Sequence, residues 1–130
     1  MVITCLRPDE HDRVGSCGRP FTCVEVAIVD EQDRFLPAGQ TGEIVCRGPQ
    51  TMAYYWNRPE ATAEAFRNGW LHTGDIGRMD EDGYYYILDR KNDMLISGGY
   101  NVYPREVEDV LLACEGLVEA AVVGLPDEKW

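Results

Sequence analysis

Three short stretches of this chain hold side chains whose types and spacing could do chemistry. The first is Thr73-Gly74-Asp75. A carboxylate placed directly after a glycine at a strand end sits where backbone can come close to a ligand. It can accept paired hydrogen bonds from vicinal hydroxyls, as acidic residues do with ribose in nucleotide folds. The same aspartate could equally cap a turn through its own backbone. The second is Arg90, whose guanidinium offers paired donors to ribose or phosphate oxygens or an ion pair to the adjacent Asp89 and Asp93. The third is Gly98-Gly99: either a tight turn that needs positive φ, or a loop whose missing side chains let a long thin ligand slide past.

Other candidates offer less. His72 has no Ser or Cys nucleophile at a readable spacing, so it reads as a packed or surface histidine. The five cysteines, Cys5, Cys17, Cys23, Cys46 and Cys114, contain no CxxC pair and form no zinc spacing with His11 or His72, which points to free buried thiols in a reducing cytoplasm rather than to a metal site or disulfide framework. Neither GxxxxGK[ST] nor GxGxxG occurs, so no segment reads as an ATP phosphate loop. Tyr54-Tyr55 and Tyr84-Tyr85-Tyr86 read as half-buried packing faces.

The elements that must position these residues follow from periodicity and punctuation. "TCVEVAIVD" and "EIVCRG" read as antiparallel strands, and "PEATAEAF" as a short helix opened by Pro59. "GWLHTGDIGRM" reads as extended, and "DEDGYYYILDR" as a turn followed by a strand. After Arg90 come a short buried strand "MLIS", the glycine loop "GGYN" and a helix from Pro104, with Val107, Val110, Leu111 and Cys114 on one face and Gly116 as its stop. "VEAAVVGLP" is expected to add a strand. The fold class is thus α+β: a mostly antiparallel first part, residues 1–90, and a partial small α/β second part, residues 91–130. The break falls at Asp89–Asp93. The abrupt end "LPDEKW" and the thin core of the second part suggest a piece of a longer protein.

Composition narrows the partners. Of the 130 residues 45% are hydrophobic and 27% charged, as in globular proteins. A net charge of −11 argues against nucleic acid and anionic membrane surfaces, and no apolar run approaches the roughly 20 residues that span a bilayer.

In order, "TGEIVCRGPQTMAYYWNRPEATAEAF", "GWLHTGDIGRMDEDGYYYILDR" and "KNDMLISGGYNVYPREVE" resemble successive motifs of the AMP-forming acyl-CoA synthetases of the adenylate-forming superfamily, from about Gly15 to Trp130. The resemblance implies a distorted β-barrel-like end of a large adenylation domain, a hinge and part of a small mobile domain in a cytoplasmic ligase. Its substrates would be ATP with Mg2+, coenzyme A and a carboxylic acid, with a fatty acid favoured. It further implies nucleotide-binding roles for Asp75 and Arg90, a hinge at Asn92 and a coenzyme A tunnel lined by Gly98 and Gly99. Family members more often carry Asp or Lys at the hinge, so Asn92 departs from the pattern. No catalytic residue is assigned within the chain: the family's phosphate loop and adenylation lysine match nothing here, and Lys91 and Lys129 do not take the lysine's place. A non-catalytic interaction module, or a relative with an acceptor other than coenzyme A, are the alternatives.

Overall fold

In the computed structural model, residues 3–10 and 12–127 are described; His11 and Lys129 lie outside them. The chain divides into two compact units, Met1–Ile87 and Leu88–Trp130. The boundary falls within the last strand of the first sheet.

The first unit is built on an antiparallel sheet, curled as a half-barrel. β1 (Thr4–Cys5) pairs with β2 (Arg19–Pro20) as a small annex. β3 (Glu25–Val29) and β4 (Thr41–Arg47) pair as the alternating apolar pattern predicts, with Ile28 opposite Ile44 and Val26 opposite Cys46. A helix, α1 (Pro59–Ala65), starts on Pro59, where the missing N–H costs nothing. β5 (Phe66–Arg67) then turns at Asn68-Gly69 into the ten-residue β6 (Trp70–Met79), with Arg67 opposite Trp70. Both turn residues have positive φ, 51° and 80°. This is the Asn-Gly hairpin whose twist matches its strands. β6 is the hub of the sheet, pairing with β4, β5 and β7 (Tyr85–Arg90).

Two buried clusters hold the unit together. Val24, Cys46 and Leu71 form one, and Ile28, Ile44 and Tyr85 the other. The Tyr85 hydroxyl, buried with its ring, donates to the Val26 carbonyl at 2.7 Å. Burial pushes this phenol above its ordinary pKa, because the ionised form loses its solvation. Tyr84 and Tyr85 are more deeply buried than the expected half-buried faces, whereas Tyr54 and Tyr55 are exposed.

The second unit contains a hairpin of β8 (Leu95–Ser97) and β9 (Tyr100–Val102), followed by α2 (Pro104–Leu112). Gly98 and Gly99 are its two turn residues, at φ 57° and 84°. The expected loop between strand and helix is therefore a tight turn between two strands. β8 is not buried: Ile96 is 68% exposed. Pro104 opens α2 as expected. Its helix N-terminus is met from a distance, since Asp89 Oδ2 accepts the Arg105 N–H at 3.1 Å while Oδ1 accepts the Arg90 N–H at 2.7 Å. The strand expected in "VEAAVVGLP" is absent. Among the described residues no strand pairs with it, and the Val122 N–H donates to Glu108 Oε1 instead. Among the described residues no helix is long and apolar enough to cross a membrane.

Candidate functional site

The Thr73-Gly74-Asp75 segment interrupts the pairing of β4 with β6. On one side of it Val45 faces His72, and on the other Glu43 faces Ile76. One residue of β4, Ile44, thus stands against three of β6, a bulge with two residues in excess. Bulges bend a strand, leave ladder groups unpaired and re-aim side chains, and they concentrate beside active sites. Gly74, at φ 76°, takes the conformation that a residue with Cβ would resist.

Side chains replace the missing ladder. Thr73 Oγ1 donates to the Ile44 carbonyl at 2.8 Å and accepts the Asp75 N–H at 3.1 Å. The Gly74 N–H donates to Glu43 Oε1 at 3.2 Å. Glu43, a carboxylate only 7% exposed, is itself held on its other oxygen: His72 Nδ1 lies 3.1 Å and Arg67 Nη2 3.5 Å from Oε2. Burial of a lone carboxylate is costly, and such pairing is what makes it tolerable. Arg67 also stands 2.7 Å from His72 Nδ1 through Nη2. Asp33 closes the group, its Oδ1 3.2 Å from Arg67 Nη2 and 3.7 Å from His72 Nε2, without an aligned hydrogen bond. His72 is therefore a packed histidine between two carboxylates.

Asp75 projects from the bulge into a cavity of about 460 Å³. Thr73, Ile44, Met52, Tyr55, Tyr85 and Ile87 contribute to its walls. The cavity is mostly apolar with a carboxylate at one side. That arrangement suits a ligand presenting a flat apolar part and a pair of hydroxyl donors.

Asp75 belongs to the first unit. Arg90, Asn92, Gly98 and Gly99 belong to the second, and each is exposed there. The Arg90 carbonyl accepts the Asp93 and Met94 N–H groups at 3.0 and 3.2 Å, which makes Lys91–Asp93 a turn with Asn92 at its centre. A Cβ built on Gly99 would meet nothing within 4 Å. Its glycine answers to the backbone turn rather than to packing within the chain.

Glu43 and Arg67 were not apparent as site residues in the sequence. Asn68-Gly69 was the available signal: a two-residue hairpin there folds Arg67 back beside His72. For Glu43 the signal was an ionisable residue in a strand whose next three residues are apolar.

The family model described as AMP-binding enzyme matches residues 1–56. The medium/long-chain-fatty-acid–CoA ligase FadD8 of Mycobacterium tuberculosis is 50% identical over 100% of this chain and 23% of its own length. Among solved structures, the o-succinylbenzoate coenzyme A synthetase of Bacillus subtilis in complex with AMP has a TM-score of 0.88 at 42% identity, covering 98% of this chain and 26% of that one. The amide bond synthetase McbA of Marinactinospora thermotolerans has a TM-score of 0.86 at 47% identity, covering 95% and 26%. The chain spans about a quarter of the length of the relatives it matches.

Proposed function

We propose that this chain, similar to AMP-binding, adenylate-forming acyl-CoA synthetases, forms part of an ATP-dependent carboxylic acid–CoA ligase. In the first step an oxygen of the acid's carboxylate attacks the α-phosphorus of Mg·ATP, and the bond to the bridging oxygen breaks to release pyrophosphate. The product is an acyl-adenylate, whose AMP is a far better leaving group than the original oxide. In the second step the coenzyme A thiol loses its proton and attacks the acyl carbon, and AMP departs.

Asp75 is assigned to the ribose: its two carboxylate oxygens accept from the vicinal hydroxyls of the nucleotide. The observation that carries this reading is the bulge in β6, which turns Asp75 out of the ladder and into the cavity. Arg90 is assigned a second contact to the nucleotide by its paired donors. Magnesium enters with ATP, and the assigned residues make no separate site for it. Residues 1–90 would close the large domain and residues 91–130 would begin the small one, with Asn92 as the joint between half-reactions. Gly98-Gly99 would face the pantetheine arm; the open space around Gly99 is what a passing thin ligand requires. A cytoplasmic location belongs to the same reading.

Two experiments test it. In the full-length enzyme, Asp75→Ala should weaken ATP–pyrophosphate exchange mainly by raising the KM for ATP; an unchanged KM would refute the ribose role. Asn92→Pro should spare exchange and slow thioester formation, because proline fixes φ at the joint; equal loss of both steps would refute the hinge. The 130-residue chain alone, with no phosphate loop and no adenylation lysine, should catalyse no exchange. A fatty acid is the favoured substrate, supported by the name and 50% identity of the mycobacterial ligase. AMP release measured across a panel of fatty, aryl and short-chain acids decides it. The similarity to an amide bond synthetase supports a second reading, with an amine as acceptor. Product analysis with coenzyme A and with an amine, each supplied alone, separates the two.

A further inference from the structure

We infer that Glu43 is a positioning residue for Asp75: by accepting the Gly74 N–H it sets the direction in which the bulge carries the aspartate into the cavity. The inference rests on the nucleotide role of Asp75.

The three bulged residues have lost their regular partners on β4, while β6 keeps its pairing with β7, so on the β4 side something else must fix them. Thr73 fixes the segment at its two ends, through the Ile44 carbonyl and the Asp75 N–H. The middle peptide remains, and Gly74 is the residue with the widest conformational freedom. Glu43 Oε1 holds that peptide. Its other oxygen lies 3.1 Å from His72 Nδ1 and 3.5 Å from Arg67 Nη2, which favours the orientation that offers Oε1 to the bulge. Arg67 is in turn placed by the Asn68-Gly69 hairpin and held by Asp33. A purely structural account of Glu43 would need the pairing at Oε2 alone. The division of the two oxygens, one to the ion cluster and one to the bulge amide, is the feature that couples the buried cluster to Asp75.

The test measures AMP release by the full-length enzyme at varied ATP and varied acid. Glu43→Gln keeps an acceptor for Gly74 and loses the charge, whereas Glu43→Ala loses both. Glu43→Ala is expected to raise the KM for ATP about tenfold, the scale of one charge-assisted hydrogen bond, with the KM for the acid unchanged. Glu43→Gln should stay within about threefold of the parent. Asp75→Ala is the reference. A raised ATP KM in Asp75→Ala beside an unchanged one in Glu43→Ala overturns the positioning role and leaves the nucleotide reading standing; unchanged values in both overturn both. Equal losses in Glu43→Ala and Glu43→Gln also overturn it, since charge rather than the amide contact would then be what matters. Should Glu43→Ala fail to fold, amide exchange of Gly74 in the parent and in Glu43→Gln decides. Slow exchange in both with a near-parental ATP KM supports the role, and exchange at the unprotected rate overturns it.

Discussion

Thr73→Val isolates the hydroxyl that spans the bulge, and its cost can be worked from two contacts. The substitution preserves shape closely and removes Oγ1, which donates to the Ile44 carbonyl at 2.8 Å and accepts the Asp75 N–H at 3.1 Å. Each backbone group left without a partner costs about 1–3 kcal/mol when shut away from water. Both bonds are only partly buried, beside an open cavity, so the lower end applies to each: roughly 2 kcal/mol in all. That is a large share of the ~5–15 kcal/mol that stabilises a typical domain. The assay is urea unfolding followed by fluorescence of Trp70, the first residue of β6, in a background where Trp56 and Trp130 are Phe. With a slope of about 1–1.5 kcal/mol per molar urea for a unit of this size, the midpoint should fall by ~1.5 M. Thr73→Ser, which keeps the hydroxyl, should fall by less than ~0.5 M. A valine variant as stable as the parent, or a serine variant as damaged as the valine one, would refute the argument that the hydroxyl holds the bulge.

Three further outcomes are expected. Tyr85→Phe leaves the Val26 carbonyl unpaired in the core and should cost about 1–2 kcal/mol by the same urea titration; no change would mean that water replaces the hydroxyl. Partial burial works to raise the Asp80 carboxyl, but the Tyr84 amide, the Tyr86 hydroxyl, the Asp82 amide and Arg13 outweigh it and hold it below the usual carboxylate range. A lowered folded pKa gives stability that is present above about pH 4 and lost as pH falls below it. Stability measured between pH 7 and pH 2.5 should therefore decline less steeply in Asp80→Asn than in the parent, and parallel curves would contradict this. Asp89→Ala leaves the Arg105 N–H uncapped and should cost about 1 kcal/mol in the second unit, read by amide exchange along α2.

Much of the scaffold was legible because it rests on local rules. Alternation in "TCVEVAIVD" and "EIVCRG" marked β3 and β4, and Pro59 and Pro104 marked both helix starts. What escaped depends on pairing between distant residues. The bulge leaves no periodic trace: only the register, Val45 against His72 and Glu43 against Ile76, reveals that Thr73-Gly74-Asp75 leaves the ladder with β4. "VEAAVVGLP" has strand composition but no partner, and composition cannot supply one. Gly98-Gly99 was legible as a turn, but not as one joining β8 to β9, because "YNV" is too short to announce a strand. Asp75 was singled out by its motif, whereas Glu43 and Arg67 became visible as its support only once hairpin and bulge had brought them together.

The bond from Asp89 to the Arg105 N–H has a kinetic meaning for the proposed joint. Its two ends lie on opposite sides of Asn92 along the chain, so a rotation at Asn92 that carries α2 away must first break it. On the proposed reading, such a contact would make the joint a latch with a closed and a released state rather than a free swivel. A capping bond worth about 1 kcal/mol would bias the two populations roughly fivefold. Weakening Asp89 would then hasten release, and it would also free the Arg90 N–H that its other oxygen accepts.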